Sequence, residues 1–285
     1  MSRETEGQLS NILVYPLSGG PGTELNSGFL SSGGGLLHDR TWVAYDSSID
    51  PTTAKNRLSI KRYGRQLSGL WLGGGFDSLA MYRGDSTEPV VQLHYNPEAP
   101  VQQLVNEFGE LPEVRDAGDT AAEQISSILG VRGARLAVKT NRWLLAAVGP
   151  APTERVVAPL HIVTQASVDA LQEVGHLEED YDFNRFRPSL VFAGNYEPGE
   201  EQSWIGRSLK IGNATIHITR ATIRCAATGR SSYTGRNHGD VPKLFKAMQQ
   251  MVDGKSEPVM GVYGYAEIAP GSTEQIKVGM EVLAA

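Results

Sequence analysis

The sequence predicts a mainly β protein with a few helices, an α+β fold. Three observations carry this: short β-type runs recur along most of the chain, glycine-rich segments punctuate them, and only a few stretches repeat apolar residues at the helical period. In the first part the β-type runs are 12–17, 41–45, 66–72, 78–82 and 90–93, a spacing that suits an antiparallel sheet or barrel. Ser31-Ser32-Gly33-Gly34-Gly35 and Gly73-Gly74-Gly75 lack the Lys-Ser/Thr of a phosphate loop and the spacing of a dinucleotide fingerprint, so they read as turns. Two helices follow. Val101, Leu104, Val105 and Phe108 recur at i, i+3, i+4 and i+7, and Ile125, Ile128 and Leu129 share one face between Asp119 and Gly130.

A second β region begins near Ala134 with runs at 144–148, 160–163, 190–192, 208–211, 215–219, 259–266 and 275–278. Within it, Ser167 is placed to cap a helix ending at Gly175, and Asp240 to cap one running from Val241-Pro242 to Val252 and stopping at Gly254. Met248, Met251 and Val252, with Leu244 and Phe245, read as its core-facing stripe. The organisation that results is a flexible N-terminus (1–10), a first β-barrel-like domain with bridging helices (11–133), and a second barrel domain (134–285) packed against it.

With 40% hydrophobic and 20% charged residues the chain can bury a core, and a net charge of −6 offers no broad basic field for nucleic acid. A single cysteine excludes an intrachain disulfide. Arg3, Glu4 and Glu6 leave no apolar stretch in the first ten residues, so a cytoplasmic location is expected. The apolar stretch at 143–148 is far shorter than the roughly 20 residues a spanning helix needs, so no membrane span is expected.

Standard catalytic motifs are absent. There is no HExxH, CxxC or GxSxG, and the six histidines show no i, i+4 pair, which disfavours zinc and serine-hydrolase chemistry. His217 alternates within Ile216-His217-Ile218-Thr219 and reads as solvent-facing. Cys225 stands in Arg224-Cys225-Ala226-Ala227-Thr228, where Arg220, Arg224, Arg230 and Arg236 favour a thiolate, a soft metal ligand. A lone cysteine also serves as a small buried hydrophobe, and sequence alone leaves both roles open. Arg185 and Arg187, at i and i+2 before a strand, suit bidentate phosphate binding or, equally, surface pairing with Glu178, Glu179 and Asp180. Arg40 lies in a charged corner, Leu37-His38-Asp39-Arg40-Thr41-Trp42.

Taken in order, these segments resemble the MOSC family, named for the C-terminal domain of molybdenum cofactor sulfurase, with the β-barrel domain that often precedes it. The resemblance rests on residues 12–17, on Gly35 to Trp42 with its Asp39-Arg40-Thr41-Trp42, on Leu129-Gly130 and Arg135-Leu136, and on residues 160–167. It continues through Asn184-Arg185-Phe186-Arg187-Pro188, Arg224-Cys225-Ala226-Ala227-Thr228 with Thr234-Gly235, Met260-Gly261-Val262-Tyr263, and residues 278–282. Relatives commonly carry Lys-Ser where this chain has Ser18-Gly19, Asn at the position of Ser189, and Asp at that of Ser231.

The resemblance implies a molybdenum–molybdopterin cofactor with Cys225 as catalytic thiolate and metal ligand. It places Arg40, Arg185 and Arg187 near pterin and phosphate, with Thr164, Ser189, Arg224 and Thr228 as further cofactor-binding positions. Similarity to amidoxime-reducing molybdoenzymes implies reduction of N-hydroxylated or N-oxygenated small molecules. Electrons would come from a separate ferredoxin-, flavodoxin- or cytochrome-like protein, because one cysteine cannot hold an iron–sulfur cluster. The alternative is a carrier of the cofactor, or of sulfur as a Cys225 persulfide, without turnover. Nothing resembles a Schiff-base lysine domain, so no pyridoxal phosphate is expected.

Overall fold

Strand β1 (Thr5–Val14) pairs antiparallel with β12 (Leu190–Ala193) on one side and β18 (Glu281–Ala284) on the other. The computed structural model describes residues 5–50, 54, 56–58, 63, 66–67, 70–74, 78–84, 86–94, 96, 98–104, 113–139, 159–175, 183–231, 235 and 246–284. From β18 the sheet runs through β13 (Ser208–Ile211), β14 (Ala214–Ile223) and β16 (Lys255–Glu267), and β16 pairs with β11 (Leu160–Thr164), which returns to β12. Seven strands so joined close into a barrel, which leaves none of them with an open edge along its whole length.

The barrel interior follows from strand alternation. Leu209 and Ile211 on β13, Ile216 and Ile218 on β14, and Val262 on β16 point inward and meet Leu9, Ile12, Leu190, Phe192 and Trp204. β11 and β12 run parallel, which no tight turn permits, and helix α2 (Gln165–Gly175) lies in the crossover between them. That helix begins before the expected cap: Thr164 Oγ1 accepts the Ser167 N–H at 3.2 Å, so Thr164 satisfies the first turn. Ser167 instead donates to Glu201 and accepts the Gly199 N–H.

Outside the barrel, β4 (Trp42–Asp46), β10 (Ala134–Lys139), β9 (Glu113–Asp116) and β8 (Val101–Gln103) form one sheet, and β5 (Leu70–Gly74), β6 (Ser78–Arg83) and β7 (Val91–His94) another. Helix α1 (Asp119–Leu129) packs Ala121, Ile125 and Leu129 into a core shared by both sheets. Two further pairings tie the regions together: β2 (Thr23–Leu25) to β1, and β3 (Ser27–Ser31) to β17 (Thr273–Lys277).

Mainly β with α is therefore the fold observed, and several local expectations are corrected. Residues 5–10, expected to be flexible, are barrel strand; β1, expected to open the first barrel, is a stave of the second; and β10, expected there, pairs with β4. Val101–Gln103 is strand rather than helix, because β9 offers it an edge and Leu104 buries beside Tyr45 and Val114. Gln66 and Leu67 are helical, with strand beginning at Leu70. The expected helix ending at Gly254 closes as β15 (Gln249–Val252) paired to β16, since Asp253 and Gly254 (φ 50° and 76°) form the turn of a tight hairpin. The run at 144–148, Val105 and Phe108 of the first helix, and residues 240–245 lie outside the described residues.

Gly261 on β16 has φ 78°, and a Cβ there would lie 2.5 Å from the Ile162 carbonyl oxygen and 2.6 Å from His161 Nε2. Gly261→Ala is expected to cost about 2 kcal/mol or more through strain and backbone displacement. Urea unfolding checks this: the midpoint should fall at an unchanged slope.

Candidate functional site

Beyond β1 the chain continues beside the corner at 38–42. The Arg40 N–H donates to the Tyr15 carbonyl at 2.7 Å, the Trp42 N–H to Pro16 at 2.8 Å, and the Ser18 N–H to Trp42 at 2.8 Å. Asp39 stitches the corner down by accepting the Tyr15 N–H at 2.8 Å. His38 and Arg40 both hold left-handed backbone (φ 68° and 52°), a conformation that side chains with a Cβ rarely adopt. Arg187 shares it, at φ 55°. Strain of this kind concentrates at functional positions.

From this corner, Arg40 faces two other guanidiniums. Arg187, after the 3₁₀ turn Phe183–Phe186, stacks on the Tyr15 ring at 4.2 Å and donates to the carbonyls of Gly20 and Leu17. Arg224, at the end of β14, donates to the Phe186 carbonyl at 2.7 Å. Two register shifts in β14, at Ile218/Arg220 and Ala221/Ile223, precede it, and bulges re-aim the residues that follow. Its buried Nε has no hydrogen-bond partner among the described residues.

Electrostatics show that these three arginines form one cluster. Burial lowers Arg187 to about 10, helped by Arg40 and Arg224 and opposed by Tyr15 and Asp39. Burial also lowers Arg224, against the pull of Tyr263 and Cys225. Burial works the same way on Arg40, but Asp39, Tyr263 and Tyr15 outweigh it and raise the group. All three stay cationic at neutral pH, and among the described residues Asp39 is the one carboxylate that shifts them. An excess of half-buried positive charge is an anion site in chemical terms.

Cys225 opens beside this cluster, exposed, with extended backbone at the start of the 3₁₀ turn Ala226–Gly229. Thr228 fixes its carbonyl with both the backbone N–H (3.1 Å) and Oγ1 (2.9 Å). Of the expected positions, the structure thus brings Arg40, Arg187, Arg224, Cys225 and Thr228 together. Arg185 is buried at 4% exposure next to them in the chain. Ser189, fully buried, uses its Oγ to accept the His161 N–H at 3.2 Å. Thr164 is also fully buried, in a separate network with Ser167 and the Glu201 carboxylate, whose pKa burial raises despite the hydrogen bonds it accepts.

Sequence reasoning missed Tyr15, Tyr263, His161 and Arg57. Arg57 Nη2 lies 2.5 Å from Ser18 Oγ, so a guanidinium reaches the position where the expected lysine is missing. His161, 1% exposed, places Nε2 2.9 Å from the Met260 carbonyl and Nδ1 3.2 Å from that of Arg187. Burial, and then Arg224, push it down to about 3. His217 faces outward as expected, between Ser208 (2.9 Å) and Glu267 (2.8 Å).

Because the folded imidazole stays neutral where the unfolded one is protonated, stability should be lost as pH falls below the ordinary imidazole range. The slope should approach about 1.4 kcal/mol per pH unit. The difference between wild type and His161→Asn in urea titrations at successive pH values isolates this term; parallel curves would remove it.

Residues 151–283 match the family model of the MOSC domain. No curated protein matches the chain. Among solved structures it is similar to the solution structure of a Bordetella bronchiseptica protein at 14% identity over 44% of this chain and 94% of that one; the TM-score is 0.28, too low to bear on the fold.

Proposed function

We propose that the arginine cluster binds the anionic pterin and phosphate of the molybdenum cofactor, with Cys225 Sγ as ligand to the metal; the match of residues 151–283 to the MOSC domain, a family associated with that cofactor, supports this reading. The observation that carries this reading is the cluster itself: three mutually repelling guanidiniums offset by one carboxylate, opening at the only thiol in the chain. The residues present fit such a group, since Arg224 Nε is buried without a hydrogen-bond partner among the described residues and a thiolate is a soft metal donor.

In this reading Arg40 and Arg224 meet the anion most directly. Arg187 adds charge while holding the 17–20 turn, and Arg57 supports Ser18 from the other side. Thr228 sets the direction of Cys225, and Ser189 acts from beneath by fixing the His161 backbone, with Arg185 buried beside the cluster and Thr164 in the separate Glu201 network. When bound, the cofactor supplies two-electron redox chemistry. The overall reaction converts an N-hydroxylated small molecule, two protons and two electrons into the corresponding N–H compound and water, the electrons arriving from a separate redox protein.

Two variants test the assignment in protein made in a cofactor-competent host. Arg187→Lys is expected to lower bound pterin and molybdenum together by several-fold, with activity per bound metal close to wild type, because an ammonium lacks the planar fork. Normal occupancy would take Arg187 out of the site. Cys225→Ser should keep the fold, by circular dichroism, and lose reduction of an N-hydroxylated substrate. Full activity of a metal-loaded Cys225→Ser protein would overturn the ligand assignment, and a persulfide mass on Cys225 in metal-free protein would favour the carrier role.

A further inference from the structure

His161 lies under the arginine cluster with both ring nitrogens against carbonyl oxygens, those of Met260 (2.9 Å) and Arg187 (3.2 Å). A neutral imidazole has one N–H and satisfies one of these acceptors; the other nitrogen then turns a lone pair toward a carbonyl. An imidazolium satisfies both. The hydrogen-bond geometry therefore favours a proton that the surroundings oppose, through burial and through Arg224 and Arg40. Among the described residues, the charged and titratable groups facing the ring are Arg224 from the end of β14, Arg40 from the corner, and Tyr263 on β16, whose ring centroid is 5.7 Å away, while Arg187, before β12, meets it through its backbone carbonyl. None of the described carboxylates hydrogen-bonds it.

We propose that His161 is a positioning residue whose proton is linked to the anion site: it takes up a proton when an anion neutralises the guanidiniums, and the new N–H fixes the carbonyl of left-handed Arg187. The inference rests on the reading of the cluster as an anion site and adds a linkage that the reading does not contain. Linkage is reciprocal, so an anion that raises the proton affinity of His161 must itself bind more tightly as pH falls. The sense is opposite to that expected from the acid stability loss alone, because the anion offsets the guanidinium charge that, after burial, opposes the imidazolium.

The test uses the full chain and sulfate, which stays a dianion throughout the range needed and so adds no proton of its own. Calorimetric titrations in buffers of different ionisation enthalpy, between about pH 8 and pH 5, read affinity and proton uptake together. The expected result is a sulfate Kd about tenfold lower at the acid end, with uptake approaching one proton. In the same range the imidazole resonance of His161, assigned through His161→Asn, should titrate with sulfate bound and stay that of a neutral ring without it. His161→Asn should bind sulfate with an affinity independent of pH. Should that variant fail to fold, the wild-type resonance, identified by its through-space contacts with the Tyr263 ring, decides. Sulfate binding with flat pH dependence and an unmoved His161 resonance overturns the linkage and leaves the anion site standing. Failure of wild type to bind sulfate at any pH overturns the anion site and the linkage with it.

Discussion

Three guanidiniums held close enough to perturb one another repel, and among the described residues Asp39 is the carboxylate that offsets them. A flexible scaffold would relieve that repulsion by letting the side chains swing into water. Here each is pinned: Arg187 by the Tyr15 ring and the carbonyls of Gly20 and Leu17, Arg224 by the Phe186 carbonyl, and Arg40 by the corner stitched to Tyr15. Two of the three also sit in left-handed backbone, at roughly 1–3 kcal/mol each. The closed barrel and its packed interior offset this cost, and the site's geometry depends on them.

β16 serves two buried polar systems at adjacent peptides. The Met260 carbonyl meets His161 under the cationic cluster, while the peptide of Gly261 joins the carboxylate network, its carbonyl accepting from Gln202 at 2.8 Å and its N–H supporting Glu201. Only a residue without a side chain fits between them, since a Cβ would meet both Ile162 and His161. The cationic cluster and the Glu201 network thereby draw on neighbouring residues of one strand.

Much of the fold was legible because its signals are local. Alternation in Ser208–Ile211 and Ala214–Ile223 gave the inner face of the barrel, and the apolar stripe of α1 ending at Gly130 gave that helix. Pairing partners were not legible, because β1 and β10 have the same local pattern whichever sheet they join, and partner choice is set by residues distant in the chain, such as Ala193 for Gln8 and Ala44 for Leu136. Asp253-Gly254 was misread for a related reason: a glycine with positive φ ends helices and turns hairpins alike. At the site, Arg40, Arg187, Arg224 and Cys225 stood out through motif context. His161 and Tyr15 did not, since a polar or aromatic residue in an apolar strand shows its role only when its neighbours across the fold are known.

Thr5 pairs with Leu283, so the barrel's last seam joins the two ends of the described chain. During synthesis β1 emerges first and β18 last, and loop closure over that span precedes the contacts that reward it. Until then β1 waits with an unpaired edge, the form of nascent chain most exposed to mispairing and to capture by chaperones. Arg40, Arg187 and Arg224 thus ride on a barrel whose β1–β18 seam closes only once β18 has emerged. A group that binds them in the closed barrel also guards the seam against reopening.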